Sequence, residues 1–238
     1  MAYPHNNILF LDIETVPQFS SFDQLSPEMQ DLWTRKSVYL LKDKPTETTA
    51  SIYSSAGIFA EFGKIICISC GIISRSQEEK RLMLKSFYGD EESLLLQQFC
   101  ETLDKWGIGT EKFLCAHNGK EFDFPYLCRR LVIHNIRIPA ILNTSGKKKW
   151  EVSHLDTMEM WKFGDYKNYT SLNLLAHILG IPTPKDDIDG SMVNKVYWQD
   201  KDLPRIVQYC QKDVLTTAQV YLRLTGDTAI KPEHVDIK

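Results

Sequence analysis

Apolar positions fall in short runs and helical stripes along the chain. Asn7 to Ile13 (NILFLDI) is an apolar run of the kind that marks a strand buried on both faces. Lys64 to Ile73 (KIICISCGII) predicts a second strand and Arg81 to Phe87 a third, with polar Ser74 to Lys80 as the turn between them. Glu91 to Asp104 places Leu94, Leu95, Phe99 and Leu103 at helical spacing. Lys112 to Ala116 predicts another short buried strand, and Asp123 to His134 a helix with Pro125 in its first turn. Ser153 to Asp156 predicts one more strand, after a turn around Ser145-Gly146. Thr170 to Leu179 carries Leu172, Leu175, Ala176 and Leu179 on one helical face, with Thr170 or Ser171 as cap and Gly180-Ile181-Pro182 as stop. The last strong helix spans Leu203 to Leu224, with Pro204 near its first turn and Gly226 beyond its end. Consecutive strands followed by alternating helices and strands imply an α/β fold, a mixed sheet flanked by helices.

Gln18 to Glu61 fits this pattern poorly. It holds one predicted helix, Ser26 to Lys36, and a Thr/Ser-rich segment from Thr46 to Ser55. It reads as an insertion, at about 18–61, over one face of a single domain spanning 1–238. The chain has 238 residues, a hydrophobic share of 43% and a formal charge of −3, ordinary globular values that exclude a protein coating nucleic acid by bulk positive charge. No apolar run reaches the roughly 18–20 residues of a membrane span, and the first residues lack the pattern of a signal peptide. The expectation is a soluble protein of the cytoplasm, with no membrane partner and with its six cysteines as buried thiols.

Three acidic motifs carry the candidate chemistry. Asp12-Ile13-Glu14 ends the first strand, where alternation puts both carboxylates on one face. Two such charges repel unless a cation neutralises them, and all-oxygen ligands suit Mg²⁺ or Mn²⁺. Taken alone, D-x-E is common and more often only a solvated strand end. Asp123, in His117 to Tyr126 (HNGKEFDFPY), falls at a strand-to-helix junction, where it reads equally as a helix cap. Tyr209 and Asp213 lie four apart on one helical face, beside the apolar stripe of Ile206, Cys210 and Val214.

Together, FLDIET (10–15), NGKEFDFPYL (118–127) and YCQKD (209–213) resemble the three motifs of the DEDD superfamily of 3′–5′ exonucleases. The third motif is Y-x3-D, so the chain is similar to the DEDDy, or tyrosine, subclass, and most similar to the proofreading domain of family B DNA polymerases, here as a free-standing protein. The resemblance implies a ribonuclease H-like fold with a five-stranded sheet, three antiparallel strands and then parallel ones. It implies four acids, Asp12, Glu14, Asp123 and Asp213, holding two divalent ions, Mg²⁺ or Mn²⁺, with Tyr209 aligning the attacking water. It further implies that Thr15, Asn118 and Phe122 contact the terminal nucleotide, though Phe122 reads equally as a core aromatic. Single-stranded 3′ ends, DNA more than RNA, follow as substrate, nucleoside 5′-monophosphates as products, and DNA replication or repair proteins as partners.

Weaker signals remain. Cys67 and Cys70 form C-x2-C inside a strand, where residues three apart face opposite ways, a poor zinc site. Asp156 reads as a support for the site or as a helix cap. Lys147, Lys148 and Lys149 beside Trp150 read as a solvated turn, and Trp33, Arg35 and Lys36 as a clamp on a strand. A haloacid-dehalogenase-type phosphatase requires Asp at position 14, which is Glu. A catalytically silent nucleic-acid-binding module on the same fold is the other alternative.

Overall fold

The computed structural model describes residues 3–76, 79–108, 111–165, 167–182 and 188–238. Six strands form one sheet: β1 (Ile8–Pro17), β2 (Gly63–Ser76), β3 (Glu79–Tyr88), β4 (Phe113–Ala116), β5 (Leu155–Asp156) and β6 (Val235–Ile237), in the order β5-β4-β1-β2-β3-β6. The pairs β1–β2 and β2–β3 are antiparallel; β4 joins β1 and β5 joins β4 in parallel. This is the ribonuclease H-like arrangement, with one strand more than the five expected. β6 adds in parallel to the β3 edge, where Arg81 Nη2 donates to Asp236 Oδ1 at 2.7 Å. The predicted turn at 74–80 is instead mostly strand, since the β2–β3 ladder continues to Ser76↔Glu79; its tip, 77–78, lies outside the described residues.

Among the described residues the α-helices are α1 (Pro27–Leu41), α2 (Glu92–Trp106), α3 (Asp123–Ile133), α4 (Thr157–Lys162), α5 (Leu172–Ile178), α6 (Val193–Lys195) and α7 (Leu203–Leu224). Helices α2 and α3 cover one face of the sheet, where Leu95, Phe99, Phe124 and Leu127 pack on Leu9, Leu11 and Ile13 of β1. Helix α7 covers the other, where Val214, Ala218 and Tyr221 pack on Ile8 and Phe10. The sheet is therefore buried on both sides, which is why its central strand reads as an apolar run.

β1 continues four residues past its predicted end. Polar Glu14 and Thr15 hide this, but β2 keeps pairing as far as Pro17↔Gly63. Along the α7 face of β1 the side chains run Ile8, Phe10, Asp12, Glu14, Val16, so two acids interrupt an otherwise apolar stripe. Beside them β2 carries a bulge: Glu14 pairs with Cys67 and Thr15 with Ile65, leaving Ile66 without a partner.

The 18–61 segment wraps its own cluster, with Trp33 sealed among Tyr53, Phe59 and Phe62. It lies against the end of β1 at Gly57, where a Cβ would sit 3.0 Å from the Val16 backbone, so a larger residue would push the two backbones apart. The expected clamp is corrected here. Trp33 is fully buried and donates to Thr49 O at 2.9 Å, Arg35 pairs with Asp31, and Lys36 lies over Phe59. Among the described residues, no helix is long and apolar enough to cross a membrane.

Candidate active site

The acids meet where β1, the start of α3 and the middle of α7 come together. Asp12 and Glu14 project toward α7 because they continue the stripe begun by Ile8 and Phe10. Helix α7 is pinned over them by its own apolar side: Val214 packs beside Phe10, Ile206 beside Val16, and Cys210 donates to the Asp12 carbonyl at 3.4 Å. Tyr209 and Asp213, one turn apart, flank that contact, and the Tyr209 hydroxyl donates to the Asp213 carboxylate.

Asp123 arrives from the opposite side. β4 pairs with β1 only over Ile8–Phe10, so beyond that point the Ile13 amide donates to Asp123 Oδ1 at 3.2 Å. This bond ties the first residue of α3 to the residue between Asp12 and Glu14. The loop before α3 is held by Asp156, whose two carboxylate oxygens accept the Asn118 and Lys120 amides at 3.0 and 3.1 Å. Asp156 also caps α4 through the Met158 and Glu159 amides, so the support and the capping roles coincide. His117 is bonded at both ring nitrogens, to Thr157 and to the Thr170 carbonyl, each at 2.9 Å.

The electrostatics are those of crowded like charges. Burial, and then repulsion from Glu14, Asp213 and Asp123, holds the Asp12 carboxyl well above the carboxylate range. Glu14 is raised by burial and then by Asp213, against a hydrogen bond from Asp12. Asp123 is pushed up to about 7, first by burial, against the lowering effect of the amides it accepts. Tyr209 is raised far above its ordinary value by burial and by Asp213, Glu14 and Asp12. Asp12 Oδ2 is sealed from solvent with no hydrogen-bond partner. Ligand atoms of Asp12, Glu14 and Cys210 all lie within 4.8 Å of one another. Buried carboxylates that repel, with one oxygen orphaned, fit divalent cations.

Thr15 follows Glu14 on β1, and Asn118 and Phe122 lie in the loop that leads into α3. Thr15 sits beside the bulge, and the Tyr126 hydroxyl donates to Gly57 O at 2.7 Å. Asn118 adopts φ 64° and leaves its side-chain oxygen buried without a partner. Phe122 is half-buried, its ring 5.4 Å from that of Tyr126. Lys147, Lys148 and Trp150 are exposed, with Lys148 over the Trp150 ring; the Lys149 side chain lies outside the description. Cys67 and Cys70 point to opposite faces, into separate clusters.

Two features were not foreseen. Cys210 reads in sequence as one more member of an apolar stripe, yet its sulfur stands among the acids. The other is a buried ion pair that sets the bulge. Glu92 accepts from Arg130 and His134, and its Oε1 takes the Ile65 amide at 2.7 Å. Arg130 Nη1 also donates to Ala60 O at 2.8 Å, joining α2, α3, β2 and the 18–61 segment.

No curated protein matches the chain. A family model described as a predicted 3′-5′ exonuclease related to the exonuclease domain of PolB matches residues 58–230. That span holds Asn118, Phe122, Asp123, Tyr209 and Asp213 but not β1, so the fold is what brings Asp12 and Glu14 beside Asp123 and Asp213. The chain belongs to this family of predicted 3′–5′ exonucleases related to the PolB exonuclease domain.

Proposed function

We propose that the protein trims single-stranded nucleic acid from its 3′ end, DNA in preference to RNA, as a divalent-cation-dependent exonuclease of the tyrosine subclass. The carrying observation is the convergence of Asp12, Glu14, Asp123 and Asp213 from three separate elements, with Glu14 and Asp123 buried and the carboxylates repelling one another. Two ions, Mg²⁺ or Mn²⁺, suit this donor set, and Asp12, Glu14, Asp213 and Asp123 would hold them. Such a pair, when bound, neutralises charge on the scissile phosphate and eases ionisation of the attacking water.

The chain's own groups position the reaction. Water attacks the terminal phosphodiester phosphorus, the bond to the penultimate O3′ breaks, and a nucleoside 5′-monophosphate leaves. Tyr209 keeps its proton near neutrality, an ordinary phenol titrating only at about 10, so its hydroxyl aligns the water and is not the base. Thr15 and Asn118 offer polar contacts to the terminal nucleotide, and Phe122 a face for its base. The 18–61 segment belongs to the same single domain, and replication or repair proteins are the partners such trimming serves.

A 5′-labelled single strand incubated with Mg²⁺ or Mn²⁺, as DNA and as RNA, with and without chelator, tests the reading. We expect a ladder shortening from the 3′ end, abolished by chelator and by Asp213→Asn, and faster on DNA. Binding without shortening, or wild-type cleavage by Asp213→Asn, overturns it.

A further inference from the structure

Two thiols stand at the acidic centre that its oxygen chemistry does not use. Cys210 Sγ lies within 4.8 Å of carboxylate oxygens of both Asp12 and Glu14. Cys67 is the register partner of Glu14 across β1 and β2, and its sulfur lies 3.7 Å from Ser69 Oγ. Both thiols are fully buried and share one small cluster with Val207. Magnesium and manganese take oxygen donors, whereas thiolate selects softer ions. Two oxygens and two sulfurs make a four-donor set for a tetrahedral ion of the zinc class. Bond lengths of about 2.0–2.3 Å place such donors about 3.5 Å apart. Donor atoms of Asp12, Glu14 and Cys210, already within 4.8 Å, reach that spacing by side-chain adjustment. Independently, the sealed and unpartnered Asp12 Oδ2 marks a donor with nothing to bind.

We propose that the acidic centre also takes a single thiophilic divalent cation, of the zinc and cadmium class, on Asp12, Glu14 and Cys210 with Cys67 as fourth donor, and that this ion shuts out the hard cations. A sulfur–metal bond forms as the S–H bond breaks, and the thiol proton passes to solvent. Because Asp12 and Glu14 are then engaged, the hard-cation set loses two of its four acids. The inference rests on reading those acids as cation ligands, and not on the identity of the substrate.

Cadmium chloride titrated into cation-free protein, followed by the ultraviolet sulfur-to-cadmium charge-transfer absorption, tests this apart from any turnover. We expect a band saturating at one equivalent in the wild type, lost in Cys210→Ser and diminished in Cys67→Ser. Cadmium affinity should fall roughly tenfold or more in Cys210→Ser, and Mn²⁺ affinity, read by electron paramagnetic resonance, by less. No band in the wild type at saturating cadmium overturns the proposal, and that measurement needs no variant to fold. A band unchanged in Cys210→Ser also overturns it, placing cadmium on another thiol such as half-buried Cys128. Protein that shows the band yet trims no strand with Mn²⁺ loses the exonuclease reading and keeps this one; protein that trims without the band does the reverse.

Discussion

Asp123→Asn should stabilise the cation-free protein while abolishing its activity. Asp123 is 4% exposed, and its carboxyl is pushed from 3.8 to about 7, chiefly by burial. Each unit of difference corresponds to about 1.4 kcal/mol, so the ionised carboxylate opposes folding by up to about 4 kcal/mol at pH 8. The sign follows from proton counting. Between 3.8 and about 7 the folded protein holds the proton and the unfolded chain releases it, so stability falls as pH rises through that window. The replacing amide keeps an oxygen for the Ile13 amide and carries no charge. We expect the variant to melt higher than wild type at pH 8 in chelator, by roughly 5–15 °C at about 2–4 °C per kcal/mol for a chain of this size. The margin should shrink to less than half at pH 5, where the wild-type carboxyl is already protonated. Saturating Mn²⁺ should reverse the order, since a cation stabilises only the form whose ligands it finds charged. Scanning fluorimetry of both proteins at the two pH values, with and without Mn²⁺, reads all three effects. A variant melting no higher at pH 8, or by the same margin at pH 5, would refute the assignment of Asp123 to a repelling cluster.

Three further outcomes are expected. Tyr209→Phe removes one aligning donor and should lower turnover about a hundredfold while leaving it measurable, with no change in the pH limbs; turnover at the level of Asp213→Asn would make the tyrosine more than an aligner. Arg130→Met leaves Glu92 buried beside only His134 and an amide, and should cost about 3–5 kcal/mol in urea unfolding; a loss under about 1 kcal/mol would show that water replaces the guanidinium. Asp156→Ala frees the Asn118 and Lys120 amides and uncaps α4, so it should lower stability by about 1–2 kcal/mol and slow trimming of single strands; full activity would remove Asp156 from the support of the site.

What could be read in the sequence was what local periodicity encodes. Helix α7 matches its predicted bounds because Ile206, Cys210, Val214, Ala218 and Tyr221 form a stripe long enough to leave no other reading. β6 was missed because three residues carry no period, and its place depends on an edge that β3 offers from far away in the chain. The Glu92–Arg130 pair was invisible for a related reason. Each residue alone looks like a solvated charge on a helix, and only the packing of α2 against α3 turns two surface charges into a buried clamp.

The acids of β1 belong to a different category, because their meaning lies in the rule they break. Positions 8, 10, 12, 14 and 16 all face α7, and three of them are apolar and sealed. Filling 12 and 14 with hydrophobes would make this strand an uninterrupted core element and the protein more stable. The chain instead accepts two carboxylates beneath a helix that brings a third, and it ties a fourth to the amide between them. Nothing in the packing requires any of this. Apolar side chains hold β1 and α7 together above and below the gap, so the scaffold stands without the acids, and the acids are held in place by the scaffold. A cluster that costs stability when empty, framed by contacts that do not depend on it, is what a cation-loaded centre demands. The same logic makes Cys210, a thiol within the frame whose sulfur lies within 4.8 Å of both β1 carboxylates, the residue on which the proposed choice between cations turns.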